Sequence, residues 1–115
     1  MSEIKLIQEK LLQFAKERDW EQFHTPKNLC MALSGEVGEL TELFQWLNDE
    51  QIKKLKSTDA EKIEDELADV FLYLCRLAQV LEVDLMQASE KKILKNKQKY
   101  PIEKSKGLAT KYTDL

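Results

Sequence analysis

Histidine is almost missing from this sequence: His24 is the only one in 115 residues, and Cys30 and Cys75 are the only cysteines. Neither cysteine has zinc-ligand spacing. Both fall in predicted helices beside apolar positions and are expected to be reduced packing residues. A di-iron bundle is disfavoured too, because such bundles place histidine in a Glu-x-x-His unit and His24 lies outside any. Long apolar runs are also absent, and the opening Met-Ser-Glu-Ile-Lys lacks the apolar stretch of a signal peptide, so no membrane association and a cytoplasmic location are expected. With 18 basic against 21 acidic residues, a net charge of −3 and no Lys/Arg run, binding to a nucleic-acid polymer is not expected. No strand-like run appears, and the length suits one domain.

What the chain does contain is one pattern written twice. Leu33-Ser-Gly-Glu36-Val37-Gly-Glu39-Leu40 returns thirty positions later as Ile63-Glu-Asp-Glu66-Leu67-Ala-Asp69-Val70. Residues three apart on a helix can aim at one point, so each copy offers a carboxylate pair beside an apolar stripe. If both stripes face a shared core, Glu36, Glu39, Glu66 and Asp69 converge at its margin. Four such charges repel one another and resist desolvation, and a divalent cation resolves both problems. An all-oxygen ligand set points to Mg2+, with Mn2+ as a substitute. Either pair alone would read as a solvated surface; two in register favour the metal.

In chain order, Ile4, Ile7, Leu11, Leu12, Phe14 and Ala15 predict a first helix ending near Arg18 or Asp19. Trp20 to His24 forms an aromatic connector, and Thr25-Pro26 opens a second helix expected to run to about Asn48. Its buried stripe would be Leu29, Leu33, Val37, Leu40, Phe44 and Leu47. Gly35 and Gly38 flank Glu36, which suggests a close backbone approach, with a neighbouring helix as the plain explanation. Asp49 to Ser57 reads as either an extension of that helix or a loop. Thr58-Asp-Ala-Glu61 has capping-box spacing before a third helix with Ile63, Leu67, Val70, Leu74, Leu77 and Leu81 inside. Asp84 with Gln87 opens a fourth, to about Lys99, and an irregular tail follows Pro101, packed through Leu108 and Tyr112. The class is all-α, a bundle of four helices. Trp46 and Tyr73 lie on the acidic sides of their helices, where an aromatic wall could stack a nucleobase while cations hold phosphates.

These residues carry a resemblance. Trp20-Glu-Gln-Phe-His24, Gly35-Glu-Val-Gly-Glu39-Leu-x-Glu-Leu-Phe-Gln-Trp46, Glu66-Leu-Ala-Asp69-Val-x-x-Tyr73 and Lys111-Tyr-Thr-Asp-Leu115 resemble the MazG-type nucleotide pyrophosphohydrolases, most of all their dCTP pyrophosphatase branch. The resemblance implies a MazG-like bundle spanning residues 1–115, with 1–100 as its helices. It implies Mg2+-dependent cleavage of a deoxynucleoside triphosphate to monophosphate and pyrophosphate, as clearance of the nucleotide pool. Glu36, Glu39, Glu66 and Asp69 would be the metal-binding and catalytic acids. Trp20, Glu21, Gln22, Phe23, His24, Trp46 and Tyr73 would bind the substrate, with Lys95 and Lys99 as further phosphate contacts. The branch carries a histidine in its first helix where Leu11 stands here, so the implied range is dCTP-like or broader. Members assemble with themselves, which implies a homotetramer built as a dimer of dimers with each pocket completed by a second subunit. The competing reading is a non-enzymatic helical interaction module whose acids only solvate it.

Overall fold

The computed structural model describes residues 2–115, and those residues are helical without a strand. Six α-helical segments are present where four were expected: α1 (Glu3–Glu17), α2 (Pro26–Phe44), α3 (Asp49–Thr58), α4 (Ala60–Val80), α5 (Leu85–Lys99) and α6 (Ile102–Ser105). They divide into two compact units, one running to Val83 and one from Asp84 to Leu115.

In the first unit α4 is the hub, with α2, α1 and α3 all packed on it and the α2/α4 pair the most extensive. Helix α1 starts where the Ser2 hydroxyl accepts from the Lys5 amide at 3.2 Å. It stops in a Schellman motif. Asp19 takes a positive φ of 55°, its amide donates to the Lys16 carbonyl at 3.1 Å, and the Trp20 amide donates to the Ala15 carbonyl at 2.9 Å. The same closure, with Glu82 at φ 56°, ends α4. Thr25 caps α2 through the Asn28 amide, and the Asn28 side chain reaches back to the Phe23 carbonyl at 3.0 Å, tying down the 3-10 turn Glu21–Phe23.

Helix α2 ends at Phe44, short of Asn48, because Asn48 begins a new helix instead of closing an old one. Its side chain accepts from the Gln51 amide while the Gln51 side chain accepts from the Asn48 amide, both at 2.9 Å. The stretch left open between extension and loop is therefore the separately capped α3. The capping box expected at Thr58–Glu61 does not form. Thr58 closes α3, its hydroxyl donating to the Lys54 carbonyl at 2.9 Å, and α4 starts after Asp59 without a side-chain cap.

The expected stripes are only half interior. Leu29 is buried at 2 % exposure, but Val37 on α2, Leu67 and Leu74 on α4 and Leu81 at its C-cap are exposed, as is Phe71 beside them. Cys75 is buried as expected; Cys30 is exposed, which corrects its reading as a packing residue. A Cβ on Gly35 or Gly38 would meet nothing within 4 Å, so neither glycine marks a close approach in this chain.

In the second unit α5 opens at Asp84, whose side chain accepts from the Gln87 amide at 3.0 Å, and closes before Pro101. The expected irregular tail contains α6 and a 3-10 turn at Tyr112–Asp114. Leu108 stays exposed, whereas Tyr112 meets Tyr100 edge-on at 5.9 Å with the Lys99 ammonium 4.8 Å from its ring centre.

The interior of the first unit hangs on few side chains, so truncating one is costly. Leu29→Ala should lower the unfolding free energy by about 2–5 kcal/mol, read from urea denaturation at fixed protein concentration.

Candidate metal centre and adjoining cleft

Two helical i,i+3 pairs, Glu36/Glu39 from α2 and Glu66/Asp69 from α4, meet across the principal helix pair. One carboxylate oxygen from each lies within 4.8 Å of all the others. Helical geometry aims the two acids of each pair together, and packing of α2 on α4 aims the pairs at each other. Glu36 and Glu66 are half-buried, and each keeps one buried oxygen, Oε2, without a hydrogen-bond partner. No lysine or arginine ion pair relieves the cluster among the described residues. Burial first, then the neighbouring Glu39 and the acids opposite, raise the Glu36 and Glu66 carboxyls above the ordinary carboxylate range. Stranded, mutually repelling oxygens of this kind fit a hard divalent cation.

Asp69 also lines a cleft of about 510 Å3 with Ile7, Lys10, Leu11, Phe14, Trp20, His24, Leu72, Tyr73 and Arg76. The acids and the cleft are thus neighbouring parts of one region. Trp20 is held there by the α1 closure and meets Phe14 edge-on at 5.7 Å. Of the residues the sequence nominated for substrate binding, Trp20, His24 and Tyr73 line the cleft; Glu21, Gln22, Phe23 and Trp46 do not. Gln22 donates instead to the Asp19 carbonyl and carboxylate, Phe23 is exposed, and the Trp46 indole stands 84 % exposed in the turn after α2.

Arg76 is what the sequence reading missed. It is buried at 7 % exposure, and it heads a chain of hydrogen bonds joining α4 to the connector and to α1. Its Nε donates to His24 Nδ1 at 3.0 Å and its Nη1 to Gln79 Oε1 at 2.7 Å. The Gln79 side-chain Nε2 then donates to the Gln8 backbone carbonyl at 3.0 Å, and the Gln8 side-chain Nε2 to the Cys75 backbone carbonyl at 2.8 Å. Because Nδ1 accepts, His24 is the neutral tautomer carrying its proton on Nε2. Burial, and secondarily the Arg76 charge, lower its pKa against a smaller opposing effect of Glu21, in the direction that favours the neutral ring. The available signal was a charged residue three positions after Tyr73 in an otherwise apolar run.

The family model described as MazG-like matches residues 31–115. The chain belongs to the MazG-like family. It is 51% identical over 105 residues to dCTP pyrophosphatase 1 of Mus musculus and 46% identical over 105 residues to that of Homo sapiens, covering 90% of this chain and 62% of each relative. This MazG-like chain thus spans less than two thirds of the curated relatives' length. Among solved structures, it is similar to a pyrophosphatase from Archaeoglobus fulgidus, with a TM-score of 0.82 and 35% identity over 88% of this chain and 94% of that one.

The cluster's response to metal separates a binding site from a merely acidic surface. Raised carboxyl pKa values mean that ionising these groups at neutral pH destabilises the metal-free fold, so Glu66→Gln should raise its melting temperature. Added Mg2+ should raise that of the wild type and leave E66Q nearly unmoved; thermal melts with chelator and with Mg2+ read both.

Proposed function

We propose that this chain is a metal-dependent pyrophosphohydrolase of deoxynucleoside triphosphates, releasing monophosphate and pyrophosphate. The observation that carries the reading is the four-carboxylate cluster sharing Asp69 with an aromatic-walled cleft large enough for a nucleobase and sugar. Family membership and the pyrophosphatase relatives support it.

Glu36, Glu39, Glu66 and Asp69 would hold Mg2+, or Mn2+ in its place, which supplies charge neutralisation for the triphosphate and acidifies bound water. Around that site the chain's own side chains do the positioning. Trp20 and Tyr73 offer faces on which a base can stack, a contact worth about 1–3 kcal/mol. His24 offers a neutral Nε2–H donor. One of these four carboxylates would take the proton of an attacking water. Leu11 at the cleft wall leaves the base range dCTP-like or broader. The whole chain is read as one MazG-like domain acting in the cytoplasm on the nucleotide pool; the family model extends through residues of both compact units.

Self-assembly is part of the proposal. Leu67, Phe71 and Leu74 along α4 and Leu81 at its C-cap recur at three- to seven-residue steps and stay exposed, as does Val37 on α2. A second copy would cover such a face, and a homotetramer built as a dimer of dimers would let the exposed Trp46 complete a neighbouring pocket.

Incubated with each deoxynucleoside triphosphate and Mg2+, the protein should yield monophosphate and pyrophosphate, with no inorganic phosphate and no turnover under chelation. Glu36→Gln should lower kcat at least about 100-fold, checked by chromatography of the products. Intact triphosphates over a folded protein would defeat the reading. Leu74→Glu places a charge in the proposed interface and should shift the mass measured by light scattering toward monomer.

A further inference from the structure

Arg76 is a buried cation without a carboxylate partner. No Asp or Glu lies within ion-pair distance among the described residues, and its two assigned hydrogen bonds go to neutral groups, His24 and Gln79. The Glu21 carboxylate of the connector acts on it from beyond that distance, and a buried charge without a counter-ion in contact is still costly, so a fold that keeps one in a cleft wall holds it at the expense of stability. Burial lowers its pKa, yet a guanidinium remains charged at neutral pH.

The hydrogen-bond directions around it are determined by the partners. Gln79 must turn its oxygen to the guanidinium, because Arg76 can only donate, and its amide nitrogen to the Gln8 carbonyl, which can only accept. His24 must offer its lone pair at Nδ1, leaving Nε2–H as its remaining polar atom. Among the described residues the second terminal nitrogen of Arg76 has no hydrogen bond to another side chain. Lys10, on the same cleft, is a donor as well. Aside from Asp69 in the acidic cluster and the Tyr73 hydroxyl, which can do either, the polar side chains lining this cleft are donors only.

We propose that Arg76 is a specificity-determining residue of the cleft, reading a carbonyl oxygen of the nucleobase directly and holding His24 as a second donor through its Nε. The proposal rests on the cleft being the nucleobase site. The donors of this wall satisfy the ring carbonyl shared by cytosine, uracil and thymine, and outside the acidic cluster its one side-chain acceptor is the Tyr73 hydroxyl, which can accept from the exocyclic amine of cytosine or donate to the carbonyl that replaces it and so does not separate them. The chain therefore accepts pyrimidines as a class instead of cytosine alone. Leu11, also in the lining, supplies no acceptor to change this.

The test is steady-state kinetics on dCTP, dUTP, dTTP, dATP and dGTP with Mg2+ for the wild type, Arg76→Ala and Arg76→Lys, beside equilibrium binding of dCMP, dUMP and dTMP. In the wild type, kcat/KM for dUTP and dTTP should lie within about tenfold of that for dCTP. In R76A the KM for pyrimidine substrates should rise about 10–100-fold, the loss of a hydrogen bond to a charged donor, while kcat changes little and the preference over purines flattens. A purely structural role would lower kcat and KM performance for all five substrates alike. R76K keeps the stem and charge without the planar fork, so it covers the case in which R76A fails to fold; it should also flatten the ranking. Exclusive use of dCTP by the wild type, or an unchanged KM and ranking in either variant, overturns the proposal. If the wild type cleaves no triphosphate, the pyrophosphohydrolase reading fails separately. Monophosphate binding then decides for Arg76: affinity that either variant weakens supports it, and no binding to the wild type overturns it.

Discussion

Repulsion among four carboxylates is the constraint to which the first unit is built. Glu36, Glu39, Glu66 and Asp69 sit where α2 packs on α4, the most extensive helix contact in the chain, so the contact that stabilises the fold also forces like charges together. Two of their oxygens are buried without partners. A protein has no reason of stability to retain such an arrangement, and the consistent explanation is a ligand that the arrangement serves.

The charge opposite in sign is treated the same way. Arg76 is buried in α4 beyond ion-pair reach of any carboxylate among the described residues, linked instead to His24, Gln79 and, through Gln79, to the backbone of α1. The acidic cluster and the guanidinium therefore occupy different parts of one region, joined by Asp69 and the aromatic faces of Trp20 and Tyr73. A triphosphate with a base attached has the matching polarity: anionic at one end, where cations would sit between it and the acids, and carbonyl-bearing at the other. Apolar surface completes the picture, since the exposed residues of α4 leave a stripe that water covers poorly and a second chain would cover well.

Much of this was legible in the residues because helical periodicity is a local property. The i,i+3 acids, the thirty-residue echo, the Thr25-Pro26 start and the Asp84/Gln87 cap all depend on neighbours within one turn, and each recurs in the structure. Capping was harder to read between the second and third expected helices, where a box was expected at Thr58 and none at Asn48. Asn48/Gln51 forms and Thr58/Glu61 does not, because Thr58 is already engaged with the Lys54 carbonyl at the end of α3. The apolar stripes were overread as core: periodicity identifies an apolar face but not what covers it, and Val37, Leu67 and Leu74 are exposed in the single chain.

By itself, then, the sequence determined an all-α chain with two carboxylate pairs in equivalent helical register, since both follow from side-chain chemistry and the 3.6-residue turn. Only the tertiary structure decided that the pairs face each other within 4.8 Å, that Trp20 and Tyr73 share a cleft while Trp46 stays outside it, and that Arg76 meets His24 across 52 positions of sequence. Such meetings depend on how far each helix is rotated against its neighbour, a quantity set by the packing of many side chains together and written in no short stretch of residues.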